Sequence, residues 1–327
     1  KQIADCNVYD NEAYLGAGFY MDDEYAMISG TRFRANQAKV PDVVVDDPDE
    51  GEDPPDDEPV VPVAALDQTG QGGGMFGHIK DLRIWDSVFV ENRADLSGGG
   101  LMLSGTVDVP AEVSNCLFAH NRAPRDGGGA SVNWCGGEPS VENWAANALF
   151  TNCTFADNVS LGSDLQGYAG AGGGLFCGYD SVVQVLDSIF WANGANQGTQ
   201  IAVATTERPS HLKMRHTNVA GFPSAGSVYV APDCGLNIDS TIWNYGFADP
   251  DDAFLTRLGA AEDDLSAQYY LDQQLSPWVN KGSRTSADAG LDGYTTSIFG
   301  ARDKGLVDLG YHYPIAGRSE CGILDEA

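Results

Sequence analysis

Carboxylates are the first candidates for chemistry in this chain of 327 residues. Between positions 42 and 58 stand ten Asp and Glu, with no Lys or Arg and with prolines at Pro48, Pro54 and Pro55. Asp46, Asp47, Asp49, Glu50, Glu52, Asp53, Asp56 and Asp57 offer the oxygen-only ligand set of a hard cation, and calcium takes about six to eight such oxygens. Calcium is therefore the expected cofactor. A solvated loop, contact with a basic neighbour, and docking through Val60-Val61-Pro62-Val63 stay open beside it, since so charged a segment cannot build its own core. Asp288, Asp292, Asp303 and Asp308 form a second expected calcium site if the chain gathers them. The plainer reading of these four is turn-forming Asp beside Gly.

The seven cysteines show no paired spacing and no Cys/His pattern, which excludes a zinc site of the usual kind. The net charge of −29 repels nucleic acid and other polyanions. It suits calcium, a basic partner or a salty habitat. No run of eighteen apolar residues exists, so no transmembrane helix is expected.

These groups must be positioned by a repeat. A glycine run followed by an apolar residue recurs at Gly16-Ala17-Gly18-Phe19, Gly72-Gly73-Gly74-Met75, Gly98-Gly99-Gly100-Leu101, Gly127-Gly128-Gly129-Ala130 and Gly172-Gly173-Gly174-Leu175. It alternates with a small residue, then Phe or Val, then Asn: Cys6, Val8, Asn11; Thr31, Phe33, Asn36; Ser87, Phe89, Asn92; Cys116, Phe118, Asn121; Cys153, Phe155, Asn158; Ser188, Phe190, Asn193. A period of roughly 25–35 residues with two-residue alternation inside it is a solenoid signal. The chain is expected to be all-β, a right-handed parallel β-helix of roughly nine coils. Residues 1–246 form the helix with an acidic insertion at 39–71, and residues 247–327 an irregular C-terminal cap. Alternation turns Ile28, Ile84, Val113, Phe150, Val185 and Met214 inward. The recurrent Asn is expected to occupy a left-handed turn and to hydrogen-bond to the next Asn. The small Cys and Ser positions are expected in the core, with a Cys116–Cys153 disulfide as the minor alternative.

Outward columns follow from the same alternation. Beside the glycine runs they read Tyr20, Phe76, Met102, Ser131, Phe176, Ala202, Tyr229, and then Asp22, His78, Ser104, Asn133, Gly178, Ala204, Ala231. Neither holds the carboxylate pair that glycoside hydrolysis needs, nor the cations a polysaccharide lyase needs. The first is rich in aromatic and apolar side chains. Tyr20, Phe76, Met102, Phe176 and Tyr229 are thus expected to form a binding stripe for a protein partner, a neighbouring subunit or a glycan, unless the chain's own loops cover it.

Glycine runs alternating with Phe-x-x-Asn resemble the polymorphic outer-membrane protein repeat of bacterial surface proteins, and the wider family of secreted right-handed β-helix proteins. The likeness spans residues 1 to about 222, and the later segment Asp303-Lys304-Gly305-Leu306-Val307-Asp308 resembles the closing part of such proteins. The resemblance implies an extracellular or cell-surface location and a structural or adhesive role, and no membrane-barrel pattern accompanies it. A carbohydrate-active enzyme of the β-helix type is the alternative. Because Lys1 opens inside a repeat, upstream residues or another subunit are expected to cover the first coil.

Overall fold

The computed structural model describes residues 1–21, 25–40, 69–78, 81–104, 109–133, 148–162, 169–204, 209–224, 226–238, 242–243, 254–256, 260–261, 264–315 and 322–324. The fold is a parallel β-helix in which each coil feeds three stacked sheets. Sheet 1 stacks eight parallel strands: Gln2–Ala4, Ala26–Ser29, Leu82–Trp85, Ala111–Ser114, Ala148–Thr151, Val182–Leu186, His211–Arg215 and Gly235–Ile238. Sheet 2 stacks Asn7–Tyr9, Arg32–Arg34, Val88–Val90, Leu117–Ala119, Thr154–Ala156, Ile189–Trp191, Thr217–Val219 and Ile242–Trp243. Sheet 3 holds seven strands, from Phe19–Met21 to Val228–Val230, the first five of which follow the glycine runs. The described residues thus form eight coils, with the repeat continuing past residue 222. By strand spacing the stack is about 34 Å long.

The inward residues meet in one core. Ile28, Ile84, Val113, Phe150, Val185 and Met214 from sheet 1 pack against Phe33, Phe89, Phe118, Phe155 and Phe190 from sheet 2 and Met75, Leu101 and Leu175 from sheet 3. The five sheet-2 phenylalanines stack ring on ring, with centroids 4.7, 4.8, 4.7 and 4.6 Å apart. Beside them runs the amide ladder. Each Nδ2 donates to the next Oδ1 from Asn11 through Asn36, Asn92, Asn121 and Asn158 to Asn193, at 2.9–3.0 Å. The same side chains reach back to carbonyl oxygens, as Asn121 does to Phe89, so these buried amides are satisfied. The glycine runs follow from this crowding. A Cβ on Gly74 would stand 2.5 Å from the Gly100 carbonyl oxygen and 3.1 Å from the Asn92 amide.

The left-handed turn residue is not the Asn itself but its predecessor: Asp10, Ala35, Glu91, His120, Asp157 and Ala192 all carry positive φ. The Asn side chain spans to the next coil, and the residue before it turns the backbone. A second left-handed column, Asp5, Gly30, Asp86, Asn115, Asn152, Asp187 and His216, joins sheet 1 to sheet 2. Cys116 and Cys153 are free, fully buried thiols, not a disulfide. Burial, and then the neighbouring Cys153, push the Cys116 thiol well above its ordinary pKa.

The C-terminal segment departs from the expected end cap. It runs along the outer face of sheet 2. Tyr269, Tyr270, Tyr311 and Tyr313 pack on Val90, Leu117, Ala119 and Ala156, while Leu271, Trp278 and Leu309 pack on Ile189 and Trp191. Strand Gly322–Leu324 then pairs antiparallel with Gln2–Ala4, so the chain itself covers the first edge of sheet 1. The expectation that only upstream sequence or another subunit would cover that edge is corrected by this return. The reason is in the side chains: the four middle coils of sheet 2 turn Val88, Val90, Leu117, Ala119, Ala156, Ile189 and Trp191 outward, and this apolar face needs a partner along its length.

Candidate functional site

Parallel registers bring the stripe together in order, pairing Tyr20 with Phe76, Phe76 with Met102, and on through Ser131, Phe176 and Ala202 to Tyr229. The stripe is not an open surface. Phe76, Met102 and Phe176 are buried, whereas Tyr20 is 47% exposed and stacks on Phe76 at 5.6 Å. Phe176 folds over Gly178, where a Cβ would lie 2.3 Å from its ring, and packs with Ala171, Ala202, Tyr179 and Tyr229. An outward position next to a glycine was filled by its neighbour's ring, which alternation alone does not show.

The four C-terminal aspartates do not gather. Asp303 and Asp308 are buried and answered by protein donors. Asp303 accepts from the Asp308 N–H at 3.0 Å and faces His312 Nε2 at 2.9 Å. Asp308 accepts from the Asn280 N–H at 2.7 Å and from the Thr296 hydroxyl. Asp288 and Asp292 are exposed, and Asp288 caps its own turn through Thr285. No group of three or more potential metal ligands occurs among the described residues. Burial, and then the charge of Asp303, raise the Asp308 pKa. The acids Asp46–Asp57, and Asp22, lie outside the described residues.

The unexpected feature is the left-handed column between sheets 1 and 2. It is a rail for the C-terminal segment. The Asp187 carboxylate accepts from the Ser283 N–H and hydroxyl at 2.7 and 2.8 Å. Asn152 donates to the Asp308 carbonyl, and Asn115 exchanges two hydrogen bonds with the His312 backbone. Asp86 accepts from the Tyr294 hydroxyl at 2.5 Å. Burial raises the Asp187 pKa, against the pull of Ser283 and Arg284.

At the N-terminal end this rail opens into two adjoining recesses of about 350 and 270 Å³ that share Trp85, Asp86 and Tyr294. The larger is walled by Tyr270, Tyr311 and Tyr313 and rimmed by Asp5 and Arg32. Arg32 is ion-paired with Asp264. Beside it, Asn7, Tyr9, Asp10, Arg34 and Glu91 line an open groove on sheet 2, where Arg34 pairs with Glu91 at 2.9 Å. The signal for this region was present in the sequence. The residues flanking the inward Val or Phe are polar in the first two coils, Asn7 and Tyr9, Arg32 and Arg34, and apolar in the next four except at Thr154. Four tyrosines surround the same end: Tyr9, Tyr14, Tyr20 and Tyr25 are 61, 60, 47 and 42% exposed. No helix among the described residues is long and apolar enough to cross a membrane. No protein-family model, curated protein or solved structure matches the chain, so the site is read from its own residues.

Proposed function

We propose that this chain is an extracellular or cell-surface structural and adhesive β-helix that meets a protein partner or a neighbouring copy through its N-terminal coil. The observation that carries the reading is the belt of exposed tyrosines, Tyr9, Tyr14, Tyr20 and Tyr25, around that one coil. Tyrosine combines a rigid apolar ring with a hydrogen-bonding tip, and it is enriched where proteins meet. The rest of the chain supports presentation: a ladder core, a stacked phenylalanine spine and a segment bound along the side. Calcium bound by the acids between positions 42 and 58 belongs to the same proposal and rests on their composition. Replacing all four tyrosines by Ser tests the belt. Light scattering across a concentration series, with retention on target cells, should show association lost at an unchanged melting temperature. Association undiminished in the variant would remove the reading.

A further inference from the structure

We propose that the larger recess is a receptor for an organic cation, the ammonium or guanidinium of a Lys or Arg side chain on the partner; this rests on the partner-binding reading above. Gly30 lines the recess. It is the one glycine in a turn column that otherwise reads Asp5, Asp86, Asn115, Asn152, Asp187 and His216. Its coil lies between those of Asp5 and Asp86, by the pairing of Ser29 with Ala4 and with Trp85. The vacated place is turned over to negative charge. A Cβ on Gly30 would lie 2.1 Å from Asp5 Oδ1, so that carboxylate leans into the gap. Among the described residues no donor or cation engages the Asp5 carboxylate. Asp86, on the other side, is held by the Tyr294 hydroxyl and by Asn115 Nδ2 at 2.9 Å. The lining is aromatic, with Trp85 and Tyr294 half-buried and Tyr313 buried.

Two carboxylates among aromatic rings are complementary to a cation. Ring faces attract it through their quadrupoles, and charge-assisted hydrogen bonds fix its head. The only cation of the lining, Arg32, is ion-paired with Asp264. The field of a chain with net charge −29 draws basic segments toward it.

Titration of the full chain with lysine amide, arginine amide and a short Lys/Arg peptide, followed by Trp fluorescence and calorimetry, tests the inference. The salt is set at about 0.15 M so that exposed charges are screened. Saturable binding is expected. Gly30→Asn, which places in this turn the residue that Asn115 and Asn152 already supply in theirs, should weaken it about tenfold by filling the gap. Asp5→Asn should do the same by removing charge, while Glu112→Gln, the same charge change elsewhere, should not. Melting curves of each variant confirm folding. No binding, equal losses in Asp5→Asn and Glu112→Gln, or no effect of Gly30→Asn would each overturn the proposal. So would a neutral tetrasaccharide that binds in place of the amines and is lost in Gly30→Asn. The four-tyrosine variant, which tests the partner reading, should leave the amine titration unchanged, so the two readings fail separately.

Discussion

Asp126 shows how a single side chain in this fold carries pH dependence. It is buried where the coil enters the glycine run, and its pKa is raised to about 6, chiefly by burial, despite Arg125 and the Ser97 hydroxyl. In the unfolded chain it titrates near 3.8. Between these values the folded state holds the proton and the unfolded state does not. The contribution is therefore complete below about pH 4 and lost as pH rises to about 6, and it amounts to about 3 kcal/mol. Asp126→Asn should flatten that part of the stability–pH curve relative to the parent chain, measured by urea unfolding at pH 4.5 and 7. An equal slope in both proteins would count against it. A second residue-scale expectation concerns the ladder. Asn121→Ala strips two side-chain bonds and leaves the Asn92 N–H and amide without their acceptor, so a loss of about 2–4 kcal/mol is expected by chemical denaturation. Phe118→Ala should cost about 3–5 kcal/mol.

At the scale of elements, the C-terminal segment is part of the folded unit and not an appendage at its end. Trp278 is fully buried against Trp191, with ring centroids 5.6 Å apart, and Leu271, Leu309 and Ile189 complete that cluster. Trp278→Ala should cost about 3–5 kcal/mol, as a core truncation does. It should also raise binding of an apolar dye, because the outward face of sheet 2 opens. Unchanged dye binding would show that the segment does not shield that face. The inward residues of sheets 1, 2 and 3 were legible from two-residue alternation, because each coil repeats the same geometry and errors in one copy are corrected by the others. The course of residues 264–315 was not legible. They have no repeat, and their contacts are long-range: Asn115 with His312, Asn152 with Asp308, Asp187 with Ser283. The buried stripe failed for a related reason. Phe176 stands in the outward column, but its closure by Gly178, Tyr179 and Tyr229 depends on how neighbouring side chains fall, and that has no period.

The whole molecule is a rod with two partly covered ends. Its inward residues are fully buried through the middle coils, while Ile3, Val8 and Phe19 in the first coil and Val230, Leu236 and Ile238 in the last are only partly covered. Association through the first coil, as proposed above, predicts that cross-linking of the associated species joins Lys1 in preference to Lys213 or Lys281. Calcium belongs to this scale too, because it would neutralise charge in a strongly acidic chain. Calorimetric titration at millimolar calcium should show uptake that disappears when Asp46, Asp47, Asp49 and Glu50 are replaced by Asn and Gln. Absence of uptake in the parent chain would leave those acids as solvated charge.

The rail has a mechanical consequence. The C-terminal segment is held to the coils by contacts set in a row: Asp187, then Asn152, then Asn115, then Asp86, and at the far end by the strand Gly322–Leu324 against Gln2–Ala4. A pull on the C-terminus directed outward, normal to the face of the coils, would load these attachments one after another, as tape is peeled from a surface. A pull along the strand direction would load the three backbone pairs at the first coil together. The molecule should thus give way at low force in the first geometry and resist in the second, and single-molecule stretching along the two directions should yield unequal rupture forces. For a protein tethered between surfaces, the direction of tension would decide whether the outer face of sheet 2 is exposed.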